Sequence, residues 1–323
     1  MITVIIATRD RATMLRETLD ALGAQESPGC PVEVIVADNA SMDDTRAVVA
    51  DAARRLPFPL VYLREGRSGK SHALNAALAQ STGDILVFTD DDVLPGPGWL
   101  SAISRAFAET GADYIVGRIL PLWEAPPPPW MSPALYGVLA VPDGGGARVV
   151  IEPIGDPAIM PLGANMAVRR RVIEEIGGWN PDLGKLQGTL RTGEDHEFAR
   201  RMVTAGFPGA YEPLAVVQHR VSASRLRLSY FMRWFYDNGG IVAGLERQYP
   251  TTPYYLLRIP RHAWREWLTD LAAAGLALVR RDVRTLVASC ARVLWFLGFA
   301  RASLRLGPVS QRSSPRLRKV ETT

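Results

Sequence analysis

Two periodicities alternate along the first third of the chain. Runs of mainly apolar residues at Ile2–Ala7, Glu33–Asp38, Leu60–Arg64, Ile85–Phe88 and Tyr114–Ile119 read as buried strands. Between them Leu15, Leu19 and Leu22 recur at helical spacing, and Ser71–Gln80 reads as a helix. Ser41 followed by Asp44 forms a capping-box pattern that predicts a helix to about Arg55, and another helical segment begins near Pro97. Strands alternating with helices predict an α/β fold in which helices cover a parallel sheet.

From Pro121 to Pro161 the periodicity dissolves. Pro126–Pro129 and Gly144–Gly146 bracket Trp130, Met131 and Tyr136, which predicts a long irregular insertion of the kind that forms lids and binding loops. Order returns at Gly163-Ala164-Asn165, with a helix predicted over Val168–Ile176 and a stop at Gly177-Gly178. Phe198, Met202 and Val203 mark one face of the next helix, and Thr192 with Asp195 fits a capping box at its start. Ala215–His219 reads as a strand that ends in histidine.

Beyond Arg225 the pattern changes. Aromatic residues cluster from Tyr230 to Tyr236 and the run stops at Asn238-Gly239-Gly240. Two apolar stripes follow, Trp264, Trp267, Leu268, Leu271 and Leu278, then Val283, Val287, Cys290, Leu294 and Leu297, and they predict a helical hairpin. Its partner stays open between the catalytic domain, a second copy of the chain and a membrane surface. Trp295, Phe296 and Phe299 broaden the apolar face, while Arg280, Arg281, Arg284, Arg292 and Arg301 suit anionic headgroups.

Composition narrows this picture only slightly. With 47% hydrophobic and 22% charged residues, the chain of 323 residues is that of an ordinary globular protein. Its net charge of +4 gathers in the tail, where Arg301, Arg305, Arg312, Arg316, Arg318 and Lys319 face Glu321 alone. No base-stacking or recognition-helix pattern accompanies that charge, so nucleic acid is not an expected partner. Cys30 and Cys290 give neither a disulfide framework nor a metal spacing. The chain opens directly on a strand, and no uncharged apolar run approaches the ~20 residues of a spanning helix. A cytoplasmic location is therefore expected, with peripheral attachment to the cytoplasmic membrane face left open.

The sharpest chemical signal is Ile85–Thr89 running into Asp90, Asp91 and Asp92. One acid is explained by a helix cap; three at a strand end point to a cation, with hard oxygen ligands favouring Mg²⁺ or Mn²⁺. In an α/β sheet, ligands bind outside the carboxyl ends of strands. Thr8, Arg9 and Asp10 after the first strand and Asp38 and Asn39 after the second are thus candidate nucleotide contacts, and Asp38 reads equally well as a turn residue. No GxGxxG follows any strand. Gly69-Lys70-Ser71 resembles the end of a phosphate-binding P-loop, but Arg64 stands where that motif needs glycine, so a phosphotransferase is the weaker reading. Arg67, Lys70 and the helix start near Ser71 are left as diphosphate contacts. Glu194 and Asp195 at a helix start are candidate general bases, and His219 a third metal ligand.

Taken together these motifs resemble the inverting family 2 glycosyltransferases. The resemblance rests on Val4–Arg9, Val36–Thr45, Gly66–Asn75, Phe88–Asp92 (the DxD element), Gly193–Phe198 (the ED motif) and His219, and covers 1–225. It implies the GT-A nucleotide-diphospho-sugar transferase fold, a Rossmann-like mixed sheet flanked by helices; beyond it the apolar stripes predict a helical extension over 226–306, and 307–323 reads as a disordered basic tail. The resemblance further implies base recognition by Asp38, Asp90 toward a nucleoside-diphosphate sugar (UDP expected), Asp92 on the metal, and Asp195 as base toward a glycan or lipid-linked acceptor. Ala7 departs from the proline common in that family, and the middle acid Asp91 leaves open which two of the three bind metal. A noncatalytic sugar-nucleotide or polysaccharide-binding scaffold is the remaining alternative.

Overall fold

The computed structural model describes residues 1–153, 159–183 and 193–305. The chain falls into two compact units, Met1–Trp234 and the part from Phe235 onward.

The first unit is built on a mixed sheet. Its first four long strands are β1 (Ile2–Thr8), β2 (Val32–Asp38), β3 (Leu60–Arg64) and β4 (Ile85–Asp90), alternating with helices α1 (Ala12–Gly23), α2 (Thr45–Ala52) and α3 (Lys70–Gln80). All seven residues of β1 are buried, because it lies between two parallel neighbours inside the sheet. Then come β5 (Val93–Pro95), α4 (Trp99–Thr110), β6 (Tyr114–Trp123), β7 (Val149–Ile151), β8 (Met166–Arg169), α5 (Arg170–Ile176), α6 (Glu194–Thr204) and β9 (Gly209–Val221). The strand order is β3-β2-β1-β4-β8-β6-β9-β5, with β7 also paired to β9. β3, β2, β1 and β4 run parallel, as the alternation predicts; β8 enters antiparallel between β4 and β6.

Two local expectations are corrected. Val168–Ile176 is not one helix: Met166–Arg169 forms β8, since pairing on both edges and burial of Met166, Ala167 and Val168 override the helical spacing. The box Ser41/Asp44 does not form either. α2 starts at Thr45, whose backbone N–H donates to Asp43 Oδ1, and it ends at Ala52. Ser41 Oγ instead accepts from the Asp10 N–H. Thr192 lies outside the described residues, as does the tail 307–323; Gly193 precedes α6 and no side-chain cap bond forms there.

The insertion is ordered where it is described. Met131, Leu135, Val138, Leu139 and Val141 are buried, and Arg118–Asp143 and Arg148–Glu212 ion pairs tie it down. Nearby, the bulge between Gly117 and Arg118 leaves carbonyls without ladder partners. Buried Asn165 meets them, its Nδ2 donating to Arg118 O (2.9 Å) and Ala215 O (2.8 Å) while its Oδ1 accepts from Trp99 Nε1 (2.8 Å).

The second unit is helical. α7 (Leu228–Gln248) runs straight through Asn238-Gly239-Gly240, where a stop is expected, and is followed by the small ribbon β10 (Tyr255–Leu256) and β11 (Ile259–Pro260). The expected hairpin is α8 (Arg261–Arg280) and α9 (Val283–Arg305). The glycines serve packing rather than termination. A Cβ on Gly239 would collide with the Trp295 carbonyl, and one on Gly298 with the Tyr236 carbonyl. α7 and α9 thus cross with their backbones in contact.

Alanine at Gly239 or Gly298 tests this crossing. In an open helix Gly→Ala gains roughly 0.5–1 kcal/mol; here overpacking of about 1–3 kcal/mol opposes it and prevails. Gly298→Ala is expected to lower the melting temperature, and an unchanged or higher value would rule out the close approach.

Candidate active site

Sheet register assembles the site. Parallel pairing sets Thr8 beside Asp38, Asp38 beside Arg64, and Ala7 beside Asp90, so the ends of four strands share one edge. Asp90 closes β4, Asp91 and Asp92 form the turn, and β5 pairs antiparallel with β9 so that Val93 faces His219. That pairing, with the Arg220 N–H on Asp92 O (3.0 Å), brings a histidine from far along the chain to the acids. His219 lies inside β9, not at its end.

The triplet divides its work. Asp91 is buried: Thr8 Oγ1 and Arg11 Nη1 each donate to its carboxylate at 2.8 Å, and Thr18 Oγ1 donates to its carbonyl at 3.0 Å. It braces the turn. Asp90, Asp92 and His219 offer ligand atoms that all lie within 4.8 Å of one another. This donor set fits a divalent cation: two hard oxygens and an imidazole whose Nε2 lies 3.5 Å from Asp92 Oδ1. Burial lowers the His219 pKa against the pull of Asp92, keeping the ring in the neutral form that ligates.

Two cations neutralise these acids. Arg11 Nη1 donates to Asp92 Oδ2 as well as to Asp91, both at 2.8 Å. Lys70 Nζ sits 2.5 Å from Asp90 Oδ1. Burial disfavours its charge, but Asp90, Asp195 and Glu194 more than offset this and hold its pKa above the ordinary value. Burial likewise pushes Asp90 up, and Lys70 outweighs it, so the carboxylate stays ionised. Burial lifts Asp91 to about 6, with Arg11 opposing.

Lys70 also links the triplet to α6. Asp195 is half-buried; its Oδ2 accepts from the Gly163 N–H at 3.0 Å, and Trp179 Nε1 approaches Oδ1 at 3.5 Å. Trp179 is packed between Phe198 (ring centroids 4.4 Å, stacked) and Phe88 (4.5 Å), and its backbone is clamped by Asn75 at 2.7 and 2.8 Å. The orientation of Asp195 is therefore fixed by a rigid aromatic wall.

The remaining expected contacts are dispersed around this centre. Asp38 is buried and saturated, accepting from the Ser41 N–H (2.8 Å) and Tyr62 Oη (2.6 Å). Asn39 clamps the basic loop through Arg67 O (2.6 Å) and the Gly69 N–H (2.8 Å). Arg9 reaches Ser68 Oγ at 3.2 Å. Arg67 is turned onto Glu65 and does not join the acids. Arg11, Gly163 and Trp179 were not among the sequence candidates. Arg11 is one of two arginines in Thr8-Arg9-Asp10-Arg11, and nothing in spacing says which one faces the acids.

Comparison with known proteins gives the family and the fold. A model described as glycosyl transferase family 2 matches residues 3–131, and one described as glycosyl transferase family group 2 matches residues 85–304. The chain belongs to glycosyltransferase family 2. It is 30% identical over 232 residues to the succinoglycan biosynthesis protein ExoM of Rhizobium meliloti, covering 71% of this chain and 70% of that protein. It is 29% identical over 283 residues to the pre-mycofactocin glycosyltransferase of Mycobacterium tuberculosis, covering 85% of this chain and 53% of that longer protein. Among solved structures, the mannosyltransferase PcManGT from Pyrobaculum calidifontis, in complex with GDP-Man and Mn²⁺, superposes with a TM-score of 0.61 at 25% identity, covering 92% of this chain and 86% of that one. S. aureus TarS with UDP gives 0.55 at 16% identity, covering 94% and 90%, a likeness in fold alone. The glycosyltransferase thus has the GT-A fold with a C-terminal helical extension, and Lys70 is not the lysine of a phosphotransferase.

In this glycosyltransferase Glu194 is the acid out of balance. It is buried, its Oε2 has no hydrogen-bond partner among the described residues, and burial, then Asp195, raise its pKa from 4.5 to about 7 against the pull of Lys70. The folded protein therefore binds its proton more tightly than the unfolded chain. Stability from this group is full below about 4.5 and falls as pH rises through about 7. Glu194→Gln removes the dependence: relative to wild type it is expected to gain up to about 2–3 kcal/mol between pH 5 and pH 8. Urea unfolding across that range checks this; parallel curves for the two proteins would refute the buried, proton-holding Glu194.

Proposed function

We propose that this glycosyltransferase moves a sugar from a nucleoside-diphosphate sugar to an acceptor hydroxyl by direct displacement, with inversion. The supporting observation is that half-buried Lys70, paired with Asp90 of the Asp90–Asp92–His219 cluster, also feels the charge of Asp195. Asp195 is ionisable, half-exposed and held in orientation by Gly163 and Trp179, which suits a carboxylate that accepts the acceptor's proton. Glu194, protonated near neutral pH, lowers the repulsion around it.

Asp90, Asp92 and His219 would hold the divalent cation. Bound there, Mn²⁺ or Mg²⁺ supplies positive charge to the departing diphosphate. The imidazole tilts the choice toward Mn²⁺, the ion seen in PcManGT. Lys70 and Arg9 add positive charge, while Thr8, Asp38 and Asn39 shape the nucleoside end; Arg67 reaches a diphosphate only by leaving Glu65. No covalent intermediate is needed. Residues 1–225 would form the catalytic domain and 226–306 its extension, in polysaccharide or glycolipid assembly at the cytoplasmic face of a membrane.

Asp195→Asn tests the base. It is expected to cut transfer by about 10²–10⁴-fold while donor binding, read by thermal shift with UDP- and GDP-sugars, is kept. Asp92→Asn or EDTA should abolish the metal-dependent part of that thermal shift. Full activity of Asp195→Asn, or a product of retained anomeric configuration, would end the displacement reading.

A membrane role is tested separately. α9 is long and apolar enough to cross a bilayer by length and composition, with 39% of its most apolar window buried. The hairpin turn exposes Leu278 (65%) and Val279 (81%) beside Arg280 and Arg281. The full chain is expected to float with anionic liposomes, and Leu278→Asp with Val279→Asp to lose most of that flotation; equal failure of both to float would end the idea.

A further inference from the structure

The helical unit contains a cavity of about 260 Å³ between α7, α8 and α9 that the proposed chemistry does not use. Its walls are aromatic. Trp267 and Phe296 stack at 5.0 Å with an interplanar angle of 21°, and Trp295 lines the same space with its Nε1 donating to Asn238 Oδ1 at 3.0 Å. The close α7–α9 crossing at Gly239 and Gly298 lets Asn238 meet Trp295 in this way.

Its polar groups are few and convergent. Arg292 Nε donates to Asp270 Oδ1 at 2.6 Å on one wall, and the exposed Glu266 stands one helical turn earlier on α8. Trp267 Nε1 is buried and, among the described residues, has no hydrogen-bond partner. A buried indole N–H in that condition calls for a ligand or a water.

The lining discriminates among ligand classes. A purely apolar ligand leaves the Asp270–Arg292 pair and the indole N–H facing hydrocarbon. A phosphate or nucleotide meets two carboxylates, and a simple cation meets Arg292. A neutral ring with apolar C–H faces and hydroxyls around its edge satisfies everything: its faces lie on the indoles, and its hydroxyls donate to Asp270 and Glu266 and accept from Trp267 and Arg292. The volume suits a small ring rather than a drug-sized molecule.

We propose that this cavity is a saccharide-binding site for a neutral glycosyl ring. That the ring belongs to the acceptor glycan rests on the function proposed above; that the cavity binds a saccharide does not. The experiment uses the full chain in saturation-transfer NMR with a panel of neutral probes, glucose, galactose, mannose, N-acetylglucosamine and their β-linked disaccharides. At least one probe is expected to bind. Trp267→Phe keeps the ring but removes the N–H, and Asp270→Asn removes the charge; each is expected to weaken binding about tenfold, the size of one lost hydrogen bond. Asp92→Asn should leave saccharide binding unchanged although it abolishes the metal-dependent thermal shift. No binding by any probe, binding indifferent to both Trp267→Phe and Asp270→Asn, binding lost with Asp92→Asn, or displacement of the probe by dodecylphosphocholine would each overturn the assignment. Loss of the Asp195 base reading with saccharide binding intact would remove the acceptor role alone.

Discussion

The ion pair of half-buried Lys70 with Asp90 is the interaction on which the site depends. Asp90, Asp91 and Asp92 arrive at the end of β4 and Glu194 and Asp195 at the start of α6, and two such clusters of acids repel one another. Lys70 stands on Asp90 and feels both α6 acids, while Arg11 ties Asp91 to Asp92. Arg11 follows β1 and Lys70 opens α3 after β3, and truncating either cation leaves the strand-end acids uncompensated. Binding and folding share the same charges here.

Much of this was legible in the sequence because local pattern and global fold agree over the parallel half. β1, β2, β3 and β4 are apolar runs between helical spacings, and the strand-end acids follow from Asp90–Asp92 without further help. β8 was hidden because its four residues are too short to carry a period, and only pairing on both edges makes them a strand. Arg11 was hidden for a different reason. Two arginines in one short loop are equivalent in spacing, and a backbone turn with Asp10 at φ 51° decides their directions. His219 was legible as a ligand type, but its arrival depends on the antiparallel β5–β9 register, a contact that no local pattern records.

Gly66–Ser71 shows how the same residue types serve different ends. Gly69 takes φ 129°, a conformation open to glycine, and starts α3 with Lys70 in its first turn, as a phosphate loop would. The loop is nevertheless pinned by Asn39 and its lysine is claimed by Asp90 at the end of β4. Charge context, more than the Gly-Lys-Ser string, fixes what Lys70 does.

The glycines of the helical unit argue the same point about hydropathy. α9 passes a length-and-composition test for a spanning helix, yet one of its faces is apolar for a reason internal to the unit: Ala291, Phe296, Gly298 and Phe299 are buried where it packs in the unit. That packing accounts for none of Leu276, Leu278, Val279 and Val283, which gather exposed around the α8–α9 turn with Arg280, Arg281 and Arg284 among them. A helix apolar on its packed face needs no bilayer, whereas a hairpin tip apolar on its open face has no internal explanation. The physical case for a membrane surface therefore rests on the turn and its arginines rather than on the length of α9.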